Sequence, residues 1–376
     1  MAVLAETARH TSLMWDVGKE TAMSQAEPRV DAVFEGDGVK GIALVGAAAV
    51  IEAAGYQFYN LAGTSAGAIV ASLLGAGYTA AELQSILMDL DFTTLTDPAT
   101  VLSRIPLVGS YLGILTDLGM YKGDAFLQLM RAWLAAKGVK TFGDLVLPCE
   151  TETRYGFKVH VVASDISRGN MLILPDDAQA YGIAPESLEV ALAVRLNMSI
   201  PYFFTPVTVR NTLGQTCHIV DGGLLSNFPI ELFDTPPPAV PEWPTFGFAL
   251  VSDPTDPAAD VRVEYQVHGP LTLFAALFHT AVAAHDAHAM ELPDIAARTI
   301  WIDDLGIPPT QFDLTQLQKV ALYDAGQAAA RDFLATWDFE QYKARFRSGA
   351  PEVRRQPGLA RPSTNRVAER RRVRGG

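Results

Sequence analysis

The stretch Gln57-Phe-Tyr-Asn-Leu-Ala-Gly63-Thr64-Ser65-Ala66-Gly67 is the most informative part of this sequence. Residues 57–62 have the character of a buried strand, and the small residues from Ala66 onward predict a helix as far as Leu74. Between them the chain fits G-x-S-x-G, in which a serine occupies a tight turn from a strand into a helix. The dipole and free N–H groups of the helix favour negative charge at that point, so Ser65 is a candidate nucleophile.

Strands and helices alternate on both sides of this turn. Strand patterns occupy Val30–Phe34, Phe157–Ala163, Thr216–Val220, Thr245–Val251 and Arg298–Ile302. Helical patterns occupy Gly41–Ala54, Asp124–Lys137 and Thr315–Thr336. This alternation predicts an α/β fold with a mainly parallel sheet and helices on both of its faces.

Two further glycine-rich loops follow predicted strands. Gly36-Asp37-Gly38-Val39-Lys40-Gly41 comes after the first strand, and Asp221-Gly222-Gly223 comes after the strand at 216–220. Because the carboxyl ends of parallel strands converge on one edge of a sheet, we expect both loops to meet the serine turn. Asp221 taken alone is equally compatible with a simple Asx-turn.

The first loop also matches G-x-G-x-x-G, a dinucleotide-binding pattern. That function requires an acidic residue at the end of the next strand, where it would hold a ribose. The next strand, 57–62, has no acidic residue and runs directly into the serine turn. The loop is therefore better suited to offering backbone N–H groups to an oxyanion, where one donor is commonly worth about 10²–10³-fold in rate.

The three loops, in this order, resemble the patatin-like phospholipase family. The segment Leu196-Asn-Met-Ser-Ile-Pro-Tyr-Phe-Phe204 is similar to the serine-containing block that ends in proline between the last two motifs of the family. The resemblance spans roughly Ala32 to Phe233. It implies a three-layer α/β/α fold and a lipid acyl hydrolase of the phospholipase A or lysophospholipase type.

The resemblance also implies roles for individual residues. Ser65 would attack the acyl carbonyl, and Asp221, flanked by Gly222 and Gly223, would act as general base in a Ser–Asp dyad. The oxyanion loop would comprise Gly36, Asp37, Gly38, Lys40 and Gly41, and the nucleophile elbow Gly63, Thr64, Ala66 and Gly67. No metal and no cofactor are expected. Many relatives carry glycine where this chain has Asp37, and a carboxylate that pointed into the site would oppose the oxyanion.

Composition and charge limit the remaining possibilities. The 376 residues carry a net charge of −13, but residues 341–376 carry +9 and the preceding 340 residues carry −22. An acidic body argues against nucleic-acid binding. We expect a flexible N-terminal arm at 1–29, a catalytic domain at 30–344 and a disordered Arg-rich tail at 345–376. Two cysteines, Cys149 and Cys217, and the absence of a secretion signal indicate a cytoplasmic protein.

Peripheral contact with a membrane is an open alternative. The apolar segment Ile105–Met120 has the composition of a lid or an interfacial patch, and equally of a buried wall of a substrate channel. The basic tail would be attracted to anionic lipid.

Three other functions compete with the Ser–Asp hydrolase. One is a Ser–His–Asp esterase that uses a late histidine such as His285 or His288. Both lie in a predicted helix, 271–290, with no strand-end loop to present them, which favours a surface or core-edge role. Another is an acyltransferase of the fatty-acid-synthesis type, with a similar elbow and a histidine partner. The third is a lipid-binding scaffold that kept the fold but lost catalysis when Asp37 appeared.

Overall fold

The computed structural model describes residues 28–95, 97, 118–148, 156–236, 239–256, 292–309 and 311–347, with isolated positions from 267 to 281. These residues form two compact units. The larger holds the described residues up to Asp234 together with 242–337, and the smaller holds those of 235–241 and from Asp338 onward. The smaller unit contains a helix, Phe339–Phe346, whose first turn is capped by the carboxylate of Asp338. The domain limits expected from the sequence stay a prediction.

The described strands, β1 to β10, are Arg29–Phe34, Gln57–Gly63, Gly119–Tyr121, Val159–Asp165, Asn170–Leu174, Tyr202–Phe204, Val207–Arg210, Thr216–Asp221, Thr245–Val251 and Thr299–Asp303. The described α-helices, α1 to α8, are Gly41–Ala53, Ala66–Gly75, Ala80–Asp89, Asp124–Ala136, Val190–Asn197, Pro293–Ala296, Gln316–Thr336 and Phe339–Phe346.

The main sheet has the order β10-β9-β1-β2-β4-β8-β7, and β5 also pairs with β4. The strands β10, β9, β1, β2 and β4 are mutually parallel, whereas β5, β7 and β8 join by antiparallel pairing. A separate pair, β3 with β6, is parallel. The expected α/β fold with a mainly parallel, helix-flanked sheet is confirmed.

One expectation about this sheet was wrong. Asp221 does not lie at the carboxyl end of a parallel strand, because β8 runs antiparallel to β4 and is paired with β7 on its other side. The sequence around Thr216–Asp221 predicts a strand but carries no signal for its direction. Asp221 instead approaches the serine turn from the opposite direction.

The strands β2 and β8 both pair with the same edge of β4. β5 covers Val161 to Asp165 of β4, so β2 and β8, which pair with Val161 and Ala163, must both use the opposite edge. β2 ends with Gly63 opposite Val161, and β8 arrives from the other direction and ends with Asp221 opposite Ala163. The two strand ends therefore face each other with their β4 partners two positions apart, about 7 Å along the strand.

The two faces of the sheet bury different cores. Along β1, Ala32 and Phe34 belong to a large cluster that includes α1, α2, α3 and α7, while Val33 belongs to a smaller cluster with α6 and the segment 228–233. This alternation is what strand geometry requires of a sheet covered on both faces.

Helices α1 and α7 pack with their backbones almost in contact. A Cβ at Gly46 would lie 2.1 Å from the carbonyl oxygen of Tyr323, and a Cβ at Gly326 would lie 1.9 Å from that of Ala43. Glycine is thus needed at both positions for the two helices to approach so closely.

Most predicted elements were found close to their expected limits, and β9 matches residue for residue. The sequence patterns did not indicate β3, β5, β6, β7, α3, α5, α6 or α8, and they placed the start of β4 at Phe157 instead of Val159. The N-terminal arm to residue 27, residues 105–117, His285, His288 and the tail from 348 lie outside the described residues. No helix in the described ranges is long and apolar enough to cross a bilayer.

Candidate active site

Ser65 lies on a sharp turn between β2 and α2. Its backbone has φ 49° and ψ −124°, a conformation that a residue with a side chain adopts only when the surrounding structure imposes it. The residue is 5% exposed, and its side chain does not cap α2. The hydroxyl is thus held at the N-terminus of a helix without being used to stabilise that helix.

The two glycines of the serine motif are required by close packing. A Cβ at Gly63 would lie 2.3 Å from the carbonyl of Gly67, and a Cβ at Gly67 would lie 2.3 Å from the carbonyl oxygen of Phe34. Real Cβ atoms do not approach backbone so closely. The two glycines of G-x-S-x-G are therefore needed because the turn packs tightly against its own backbone and against the end of β1.

Asp221 ends β8 and is 2% exposed. Its Oδ1 accepts a hydrogen bond of 2.8 Å from the N–H of Gly223, and its own N–H donates to the carbonyl of Ser199 at 3.0 Å. Oδ2 is buried and has no hydrogen-bond partner among the described residues. A buried oxygen with unused lone pairs is costly, and it is ready to accept a proton.

Burial raises the pKa of Asp221 to about 7. The N–H of Gly223 and the nearby hydroxyl of Ser65 favour the ionised form and oppose that rise, but they do not cancel it. A carboxyl group with a pKa near neutrality suits a general base that must first accept a proton and later release it.

The hydroxyl of Ser65 lies close enough to the carboxyl of Asp221 to favour its ionised form, but Oδ2 of Asp221 has no hydrogen-bond partner among the described residues. The hydroxyl of Ser65 instead points to Sδ of Met198, with Oγ and Sδ 3.8 Å apart. Catalytic hydrogen bonds are often poorly aligned in the absence of substrate. Rotation of the serine side chain would turn its hydroxyl from the thioether to the vacant Oδ2 of Asp221.

Most N–H groups of the first loop have acceptors within the protein. Those of Gly36, Val39 and Lys40 donate to the carbonyls of Asn227 at 3.3 Å, Pro309 at 3.1 Å and Asp37 at 3.1 Å. Among the described residues, the N–H groups of Gly38 and of Ala66, which follows the serine, have no hydrogen-bond acceptor. These two amides are the candidates for holding an oxyanion.

The carboxylate of Asp37 forms an ion pair within its own loop. Its oxygen lies 2.6 Å from Nζ of Lys40, and the same Nζ donates to Asp304 at 2.7 Å. Burial by itself lowers the pKa of Lys40, but the two carboxylates outweigh it and raise the pKa above its ordinary value. The carboxylate of Asp37 is therefore paired with a buried, charged lysine that it shares with Asp304.

Hydrogen bonds tie the three loops to one another. The N–H of Thr64 donates to the carbonyl of Phe34, and its hydroxyl donates to the carbonyl of Ser226 at 3.1 Å. Gly36 is packed so tightly that an added Cβ would lie 2.9 Å from Cβ of Ser65. The serine turn thus contacts both the first loop and the segment that follows Asp221.

Several residues of this neighbourhood were not identified from the sequence. Met198 lies within the quoted block 196–204, but no pattern assigned it a contact with Ser65. Asn227 joins the loops, since its carbonyl accepts from Gly36 and its amide donates to Glu35 at 3.1 Å. Asp304 had no sequence signal, because its link to Lys40 spans 264 positions.

The described residues give less support to a catalytic histidine or a metal site than to a Ser–Asp pair. His160 lies in a T-shaped ring contact with Phe233, and burial lowers its pKa to about 4, whereas His218 is bonded to Ser167. Within the same part of the chain, no group of three or more His, Cys, Asp or Glu side chains is arranged to hold a metal ion.

Comparison with known proteins gives one family match. The family model described as patatin-like phospholipase matches residues 32–234. YqhO of Bacillus subtilis is 38% identical over 312 residues, which cover 82% of this chain and 99% of YqhO. R571 of Acanthamoeba polyphaga mimivirus is 25% identical over 208 residues, 54% of this chain and 60% of R571. The crystal structure of VipD from Legionella pneumophila superposes with a TM-score of 0.43 at 15% identity, covering 83% of this chain and 67% of VipD.

Proposed function

Because this chain belongs to the patatin-like phospholipase family, we propose that it is a lipid acyl hydrolase of the phospholipase A or lysophospholipase type. In this proposal Ser65 is the nucleophile, Asp221 is the general base, and the reaction passes through an acyl-enzyme. No metal or cofactor takes part.

The main support for the proposal is that the side chains of Ser65 and Asp221 lie close together. Ser65 stands on a strained turn at the start of α2, and Asp221 offers a buried oxygen with no partner in the described part of the chain and a pKa raised to about 7. Strained backbone and a shifted pKa in one place are typical of catalytic sites. A purely structural role for Asp221 would favour a full set of hydrogen bonds to the carboxylate, and Oδ2 has none among the described residues.

The first chemical step follows from this geometry. With the ester bound, the hydroxyl of Ser65 turns from Met198 to Oδ2 of Asp221 and loses its proton to it as Oγ attacks the acyl carbonyl. The N–H groups of Gly38 and Ala66 stabilise the negative charge that develops on the carbonyl oxygen. The leaving alcohol takes the proton from Asp221, and the acyl group stays on Ser65.

The second step releases the acyl group. A water molecule occupies the space left by the alcohol, gives a proton to Asp221 and attacks the acyl-enzyme. Collapse of the second tetrahedral intermediate returns the proton to Oγ of Ser65 and frees the fatty acid. A carboxyl group whose pKa lies near neutrality can carry the proton in both directions.

An apolar acyl chain suits the surroundings of the serine. The thioether of Met198 contacts the nucleophile, and the strand β6 begins only four residues later with Tyr202, which is 36% exposed. Its partner strand β3 is preceded by Leu118, which is 48% exposed. An apolar thioether at the nucleophile, together with exposed apolar side chains on or next to the strand pair β3–β6, supports an acyl-chain substrate.

Product analysis tests the proposal directly. The purified protein is incubated with a mixed lipid extract, and free fatty acids and lysolipids are quantified by mass spectrometry, with Ser65→Ala protein as the blank. We expect fatty acid to be released from one or more ester lipids by the wild type alone. Equal profiles for the two proteins across phospholipids, lysophospholipids, galactolipids and triacylglycerols would contradict the proposal.

A further inference from the structure

A turn far outside the matched family region holds the oxyanion loop. The turn comprises residues 304–309 after β10, and it contacts the loop 36–40 in two places. The carboxylate of Asp304 accepts from Nζ of Lys40 at 2.7 Å, and the carbonyl of Pro309 accepts from the N–H of Val39 at 3.1 Å. Gly38, with φ 50°, is packed so closely against the turn that a Cβ would lie 1.9 Å from the same carbonyl oxygen.

The two carboxylates that contact Lys40 belong to different parts of the chain. Asp37 is three residues from Lys40, so their ion pair joins two residues of the same loop. Asp304 belongs to another part of the molecule and is itself held at both ends. Its N–H donates to the carbonyl of Val251, and its Oδ1 accepts from the N–H of Gly306 at 2.8 Å.

We propose that Asp304 is a positioning residue for the oxyanion loop, anchoring the buried ammonium of Lys40 to the end of β10 so that the N–H of Gly38 is held toward the reacting carbonyl. This inference rests on the proposed acyl hydrolase function. Lys40 is 2% exposed, so water cannot replace a lost partner easily. Without Asp304, the loop keeps only one of its two contacts with the turn 304–309, the one at Pro309.

The test uses isosteric variants of two adjacent carboxylates. Asp304→Asn removes the charge that reaches Lys40, and Asp303→Asn removes a neighbouring carboxylate that accepts a hydrogen bond from the N–H of Leu305. We expect kcat of Asp304→Asn to fall about tenfold with KM changed less than twofold, because oxyanion donors act in the transition state rather than in substrate binding. Asp303→Asn should keep the wild-type kcat.

A second readout does not depend on activity. Hydrogen exchange followed by mass spectrometry should show faster exchange of the amides of residues 36–41 in Asp304→Asn, by about fivefold or more, and no change in Asp303→Asn. Asp304→Glu, which keeps the charge, should retain at least about a third of the wild-type kcat. It is the variant to test if Asp304→Asn folds poorly.

The outcomes separate the two proposals. A wild-type kcat in Asp304→Asn would overturn the positioning role, whatever the exchange rates, and so would an equal loss in Asp304→Glu and Asp304→Asn. If the wild type hydrolyses no ester lipid, the acyl hydrolase function fails, and the exchange experiment then decides whether Asp304 anchors the loop: unchanged exchange would overturn it.

Discussion

Gly63 and Asp221 end two strands that approach each other head-on along the same edge of β4. Gly63 lies opposite Val161, and Asp221 lies opposite Ala163, so their partners on β4 are only two positions apart. The serine turn that follows Gly63 therefore opens directly toward the Asp221 carboxyl. This arrangement, rather than a shared edge of parallel strands, is what makes a Ser65–Asp221 pair possible.

Replacement of the nucleophile should abolish turnover. Ser65→Ala should lower kcat at least about 10³-fold, because no other group supplies the attacking oxygen. Ser72→Ala is the matched control: Ser72 is buried in the same helix, and its hydroxyl has no hydrogen-bond partner among the described residues. Ester hydrolysis and labelling by a fluorophosphonate probe report the result. A folded wild type that is never labelled at Ser65 would favour the non-catalytic scaffold.

Substitution of the base distinguishes the dyad from a triad. Asp221→Asn is isosteric but cannot accept the proton, so we expect kcat to fall at least about 10³-fold. His285→Ala and His288→Ala should each stay within about twofold of the wild type. Steady-state kinetics with a chromogenic ester are sufficient. The opposite result, activity lost only with a histidine, would favour the esterase or acyltransferase alternatives.

The pH dependence of activity should follow the carboxyl of Asp221. Only the ionised form can act as base, and burial raises the pKa of this group to about 7. We expect kcat/KM to increase about tenfold per pH unit below pH 6 and to level off above about pH 8. Initial rates from pH 5 to pH 9 provide the test. A plateau already reached at pH 5 would mean that the base has an ordinary carboxyl pKa.

The same carboxyl should destabilise the fold above neutral pH. Its pKa is raised to about 7 in the folded protein, so between about pH 4 and pH 7 the folded state binds more protons than the unfolded state. The free energy of unfolding contributed by this group therefore falls as the pH rises through that window. Asp221→Asn, which cannot ionise, should raise Tm by at least about 3 °C at pH 8 and by less at pH 5. Calorimetric scans that gave the same change in Tm at both pH values would contradict this assignment.

Because the serine turn packs closely against β1, Gly67 should not tolerate a side chain. In Gly67→Ala the new Cβ would lie 2.3 Å from the carbonyl oxygen of Phe34, which must displace either the turn or β1. We expect a loss of about 1–3 kcal/mol in the free energy of unfolding. Gly269→Ala, where a Cβ would meet nothing within 4 Å, should change it by less than about 0.5 kcal/mol. Urea denaturation of both variants measures the difference, and equal stabilities would refute the packing argument.

The sequence alone was sufficient for the local features of the site. The motif around Ser65 predicted a strand, a turn and a helix, and those elements are β2 and α2 with Ser65 between them. The glycines at 63 and 67 could be interpreted locally, because the need for small residues arises within one turn and the strand beside it. The order of the three loops was enough to indicate the family, whose model matches residues 32–234.

What only the tertiary structure decided is how distant segments meet. The direction of β8 depends on its pairing with β4 and β7, and periodicity in a single strand is the same for either direction. The contact of Met198 with Ser65 and the contact of Asp304 with Lys40 join residues separated by 133 and 264 positions. Local propensity is set by neighbours in the chain, whereas charge pairing, burial and the resulting rise in the pKa of Asp221 are set by neighbours in space.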